Sequence, residues 1–121
     1  MPPAGTRLCS LAALEATGAK GVDLEIDGER YCLFVVAGGD AGVCAYMNQC
    51  PHIGTPLDML PDRFLTRDRK QILCSTHGAR FRIEDGLCVS GPCRGQSLTP
   101  VAVAVRDGAA CIAPETGRPA S

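Results

Sequence analysis

The stretch "CPHIGTPL", residues 50–57, decides how this chain is read. It sets a thiol, Cys50, and an imidazole, His52, two residues apart, with Pro51 fixed between them. A second stretch, "CSTHGARF" at 74–81, repeats the pairing as Cys74 and His77. The chain has 2 histidines in all, and each stands within three residues of a cysteine and close before a glycine, Gly54 or Gly78. Chance placement accounts poorly for that coincidence.

Three chemistries could use such pairs. A mononuclear zinc site takes Cys₂His₂ in tetrahedral geometry. Structural zinc sites, however, draw two cysteines from one knuckle and two histidines from another element, whereas here each loop offers one of each. A cysteine-protease pair needs one Cys and one His and leaves the second pair unexplained. A binuclear iron centre uses all four: two irons bridged by two sulfides need two protein ligands each, and His₂ replacing Cys₂ on one iron defines a distinct, higher-potential class.

Outward from the pairs, the periodicity is that of short strands. "VDLEI" at 22–26 alternates apolar and acidic residues, and Asp27-Gly28 supplies a hairpin turn. "RYCLFVVA" at 30–37 is a β-rich run ended by Gly38-Gly39-Asp40, and "GVCAYMN" at 42–48 leads straight into Cys50. After the second pair come "ARFRIEDG" and "LCVSGPC", then an alternating strand over 101–105, a turn at Asp107-Gly108 and a return strand. The only helical stretch is 10–16, capped by Ser10 and ended at Thr17-Gly18; two turns are marginal on their own. The 53–73 spacer, with Pro56 and Pro61, reads as an irregular loop with a strand over 71–73. Its basic run, Arg63, Arg67, Arg69 and Lys70, reads as a solvated face rather than a docking patch. The Pro/Gly/Ala-rich tail, 114–121, reads as disordered.

A length of 121 residues suits one domain that buries roughly two thirds of its unfolded surface. Aromatics are few (Tyr31, Phe34, Tyr46, Phe64, Phe81, no tryptophan), so a core of small aliphatic side chains and cysteine is expected. The net charge of −1, with both signs interspersed, shows no nucleic-acid footprint. The first twenty residues carry no charged n-region followed by an apolar h-region, and no later run suits a membrane span, so a cytoplasmic protein is expected. In that reducing setting the 8 cysteines are better read as ligands and small buried hydrophobes than as a disulfide framework. Cys32, Cys44, Cys88 and Cys111 fall in strand patterns and are expected to pack. Cys93, in a loop after Pro92, is also read as packing rather than as a functional thiol.

The Cys50-Pro51-His52 and Cys74-x-x-His77 pairs, Gly78 after the second histidine, Phe81 beyond it and the downstream Gly91-Pro92 together resemble the Rieske [2Fe–2S] family, over about 22–112. The resemblance implies an all-β, antiparallel sandwich or barrel: a single domain of N- and C-terminal strands, with an inserted subdomain at about 48–94 that carries the cluster. It implies one [2Fe–2S] cluster held by Cys50, His52, Cys74 and His77. The spacer is a few residues longer than in the ferredoxins it resembles.

High-potential members of the family carry an extra cysteine in each cluster loop, joined as a disulfide; Thr55 and Thr76 stand at those positions here. They also place serine and tyrosine after the second histidine, donating hydrogen bonds to sulfur; here Ala79 and Phe81 have no hydroxyl. Such bonds favour the more negative reduced cluster, so their absence implies a low potential. No substrate pocket, nucleophile–base pair or mononuclear iron triad is legible, so an electron-transfer protein is expected rather than an enzyme. Its implied partners are a flavin-type reductase and an oxygenase or similar acceptor. A Rieske electron-entry subunit of a larger reductase, like a nitrite-reductase small subunit, is the alternative, and a zinc-stabilised binding module a remote one.

Overall fold

The computed structural model describes residues 5–26, 28–38, 42–49, 64–74, 78–91 and 93–113. Cys50, Pro51, His52, Thr55, Pro56, Pro61, Arg63, Thr76, His77, Pro92 and the 114–121 tail, on which parts of the sequence reading fall, lie outside the described residues, as does Asp27 of the hairpin turn.

Among the described residues, ten strands and one helix follow one another: β1 (Arg7–Ser10), α1 (Leu11–Thr17), β2 (Ala19–Ile26), β3 (Glu29–Ala37), β4 (Val43–Met47), β5 (Gln71–Leu73), β6 (Arg80–Arg82), β7 (Cys88–Ser90), β8 (Pro100–Val101), β9 (Val103–Arg106) and β10 (Ala109–Ile112). They form three sheets, ordered β1-β10-β9, β2-β3-β4-β8 and β5-β6-β7, with every pairing antiparallel. This is the antiparallel all-β architecture that the sequence implies.

Around residues 33–36 the middle sheet is buried on both faces, and β3 shows why that stretch reads as an unbroken apolar run. Side chains alternate across a strand. Leu33 and Val35 enter one core with Leu14, Val22, Val43, Ala45, Val101, Ala110 and Ile112. Phe34 and Val36 enter the other, with Ala19, Tyr46, Phe64, Ile72, Cys74, Ala79, Phe81, Cys88, Cys93 and Leu98. The antiparallel register keeps partners on one side: Ala19 opposes Val36, and Val22 opposes Leu33. Burying one such side chain contributes roughly 1.5–3 kcal/mol, so the four fully buried residues of β3 tie two cores to one strand.

The helix matches its sequence signals. Ser10 Oγ accepts from the Ala13 N–H at 3.1 Å, and Gly18, at φ 80°, closes the C-terminus by donating to Leu14 O at 2.6 Å. Two turns are marginal in isolation; here Leu14 is buried in the first core, and Arg69 donates to the carbonyls of Glu15 (3.4 Å) and Ala16 (3.1 Å). A guanidinium on the last carbonyls offsets the helix dipole. Arg69 is exposed like its neighbours Arg67 and Lys70, as the solvated-face reading expects, and its guanidinium also tethers the end of α1.

Three departures have local causes. β1 has no clear sequence signal, since its partner β10 lies at the far end of the chain. The strand expected over 101–105 is divided at Ala102: Val101 still pairs with β4 while Val103 pairs with β10, so the chain changes sheet there. The described end of the spacer is ordered rather than irregular. Phe64 stacks on Phe34 with centroids 4.4 Å apart and planes 8° from parallel, Leu65 bridges Ile72, and Leu73 N–H donates to Phe64 O at 2.8 Å.

Candidate metal centre

Two strands, β4 and β5, end shortly before the Cys-His pairs begin. β4 delivers the first pair: Met47 N–H donates to Thr99 O (2.9 Å), Asn48 N–H to Cys32 O (3.0 Å) and Gln49 N–H to Met47 O (2.9 Å). The backbone is therefore fixed up to the residue before Cys50. β5 delivers the second, and Cys74 is the next residue after its last, Leu73. Cys74 N–H donates to Ala79 O at 2.8 Å and Gly78 N–H donates to Cys74 O at 2.9 Å, pinning both ends of the loop that carries His77.

Of the four residues singled out in the sequence, the structure describes Cys74 alone, so it does not speak to how the four meet. Cys74 is fully buried, in the core with Ile72, Ala79 and Phe81, and its sulfur makes no hydrogen bond among the described residues. A buried thiol at a pinned strand end, its sulfur unused, suits a metal ligand. With two thiolates and two imidazoles as donors, the residues present fit a [2Fe–2S] group of the His₂Cys₂ kind.

A strap crosses Ala79, which follows the second pair in sequence. β6 and β7 form a hairpin in which Phe81 opposes Cys88 and Arg80 opposes Ser90. The chain then turns at Gly91, whose φ is 108°. A Cβ added to Gly91 would sit 2.7 Å from Ala79 Cα and 3.1 Å from Ala79 Cβ. Only glycine lets the strap lie directly on the backbone that leads away from Gly78. Ala79 and Phe81 are both fully buried, so the two positions without a hydroxyl face the interior.

No charged side chain is buried among the described residues. On the surface, Thr66 Oγ1 donates to Asp68 at 2.6 Å and Lys70 N–H donates to the same carboxylate at 3.0 Å. The Thr66 bond first, and the Lys70 N–H second, hold the Asp68 carboxyl below the usual range. The Cys32 thiol is pushed up by burial first and by Asp23 second, which keeps it neutral. Sequence reasoning missed two features here: the Arg69 tether and a contact between Cys88 and Cys93. The first was hidden because a guanidinium's target cannot be read from charge pattern, the second because it depends on how β7 turns.

Comparison with known proteins places this geometry. The Rieske [2Fe-2S] domain family matches residues 7–107. No curated protein matches the chain by sequence. Among solved structures, the ferredoxin of carbazole 1,9a-dioxygenase from Nocardioides aromaticivorans IC177 superposes with a TM-score of 0.66 at 26% identity, covering 93% of this chain and 100% of that one. The Sphingomonas yanoikuyae B1 ferredoxin gives 0.65 at 25% identity, over 91% and 98%. A structure titled as the complex of reduced oxygenase and oxidized ferredoxin in carbazole 1,9a-dioxygenase gives 0.65 at 24%, over 88% and 99%, a likeness of fold alone. Among the described residues no helix is long and apolar enough to cross a membrane. With the strand order, the pinned Cys74 and the match across 7–107 all in agreement, the chain belongs to the Rieske [2Fe-2S] domain family.

Proposed function

We propose that this chain is a one-electron carrier whose cluster is held by Cys50, His52, Cys74 and His77 on an insertion spanning about 48–94. It takes electrons from a flavin-type reductase and gives them to an oxygenase or similar acceptor in the cytoplasm. When bound, the [2Fe–2S] group supplies reversible one-electron chemistry. The protein's part is to hold and tune. Cys74 supplies a thiolate from a fully buried position at a pinned strand end, which excludes water from that side. Ala79 and Phe81 offer sulfur no hydroxyl hydrogen bond, which supports a low potential.

The observation that carries the reading is Cys74: a buried sulfur, unused by hydrogen bonds among the described residues, where family membership calls for a ligand. The oxygenase partner is supported by likeness to a dioxygenase ferredoxin at 26% identity over that protein's whole length. Iron and acid-labile sulfide analysis of anaerobically purified protein, with absorption and EPR spectra, tests it. About two irons and two sulfides per chain are expected. A colourless protein with one stoichiometric zinc would falsify it.

A further inference from the structure

Two thiols outside the ligand set meet in the core. Cys88 opens β7 and Cys93 lies in the turn after it; each is 2% exposed, and Cys93 Sγ–H donates to Cys88 Sγ at 3.3 Å. The main chain holds them together. Cys88 N–H donates to Gln96 O at 2.8 Å, Gly95 N–H to Cys88 O at 3.2 Å and Gln96 N–H to Cys93 O at 2.9 Å. These bonds fold the strap back on Cys88, so the proximity of the sulfurs is built into the backbone rather than left to two rotamers.

We propose that Cys88 and Cys93 are a redox-active dithiol that closes to an intrachain disulfide under peroxide, a two-electron site separate from the cluster ligands. An S–S bond is about 2.05 Å long, so the sulfurs must approach by roughly 1.3 Å, within reach of side-chain rotation. One sulfur, as thiolate, attacks hydrogen peroxide and breaks the O–O bond, giving a sulfenic acid; the released hydroxide takes up the thiol proton as water. The second thiol then displaces the sulfenic oxygen, forming the S–S bond and a second water. Two S–H bonds are lost, and two electrons pass from sulfur to peroxide oxygen. Peroxide is the oxidant because thiols only 2% exposed shut out a bulky disulfide. The bridge would span Gly91 and so tie down the strap that lies on Ala79. The inference goes beyond the proposed function and holds whatever the electron acceptor is.

Trypsin releases both cysteines, and no other, in one peptide, 83–94. The protein as purified, with its cofactor, is exposed to graded hydrogen peroxide, quenched, denatured, alkylated with iodoacetamide and digested. After peroxide, peptide 83–94 should be lighter by two hydrogens and carry no alkyl group; after dithiothreitol it should carry two. In Cys93→Ala, Cys88 should be trapped as a sulfenic acid by dimedone, with no bridge. The proposal is overturned if the peptide keeps two alkyl groups at every dose up to a large molar excess. It is equally overturned if either cysteine goes to sulfinic acid without a bridged form appearing, or if Cys88 or Cys93 bridges only to another cysteine. These readouts do not depend on iron, so failure of the electron-carrier reading would leave them interpretable.

Discussion

Tyr46 donates its phenolic hydrogen to the carbonyl of Ile83 at 2.6 Å, joining β4 of the middle sheet to the turn between β6 and β7. The ring is 2% exposed and packs against Phe34, with centroids 5.9 Å apart. Burial first, then Cys44, Asp85 and Glu84 nearby, pushes the phenol well above its ordinary value of 10.0. A raised folded pKa means stability that is complete below the unfolded value and is lost as pH rises beyond it. Tyr46→Phe should therefore cost about 1–2 kcal/mol at neutral pH, since it leaves Ile83 O without its donor. Above pH 10 that difference should shrink as the wild type alone is penalised for its phenol. Urea titrations of both proteins from pH 7 to 11 measure it, and a gap that stays constant or widens would contradict the bond.

Removing a proposed ligand should empty the site without unfolding the sheets. Cys74→Ser is expected to take iron from about two per chain to near zero. Cys50→Ser should do the same. Cys111→Ser, in β10 and 7% exposed, should keep its iron. Iron loss in that third variant would mean that the ligand set is wrong.

The midpoint potential of the holoprotein is expected near the bottom of the Rieske range, roughly −150 mV. Phe81→Tyr should raise it by placing a donor among buried sulfur-bearing neighbours. Protein-film voltammetry settles both points. A wild-type value above about +100 mV, well up in the family's range, is incompatible with the argument from Ala79 and Phe81.

Arg69 combines a tether with backbone strain: its φ is 61°, in the left-handed region. Arg69→Ala loses both bonds to the end of α1 and keeps the strain. Arg69→Gly loses the bonds and relieves it. The glycine variant should be the more stable of the two by about 1 kcal/mol. Equal melting midpoints would indicate that the turn readjusts when the guanidinium is gone.

The strap's contact with Ala79 is tested by Gly91→Ala, which adds a methyl 2.7 Å from Ala79 Cα at a φ of 108°. Strain and overlap together should cost roughly 2–4 kcal/mol. Gly95→Ala is the control, with a φ of 91° but nothing within 4 Å of the added carbon. It should cost no more than about half as much. Chemical denaturation of the pair separates close packing from conformational strain.

Local signals in this chain were legible and long-range ones were not. Ser10, Gly18 and the short apolar repeat define α1 by themselves, and the β-rich run at 30–37 marks β3. Even the three-residue β5 stood out at 71–73 after a charged turn. β1 did not, because four residues with a register shift between Arg7 and Cys9 mean little until β10 lies beside them. The break at Ala102 belongs to the packing of two sheets, and nothing in "PVAVAV" announces it. For the site, Cys74 was marked by its motif, while the nearness of Cys88 and Cys93 came only with the fold.

The two-faced burial of β3 alters what protects its alignment. In a sheet with one wet face, a one-residue slip turns polar side chains inward and is rejected on polarity. Here a slip would exchange Phe34 and Val36 for Leu33 and Val35, one apolar set for another. Polarity cannot tell those arrangements apart; shape can. The Phe34 ring has a slot against Phe64 and Tyr46, and a leucine in its place would leave a void there. Phe34→Leu should therefore do more than weaken the core, because it removes the feature that makes one alignment better than its neighbour.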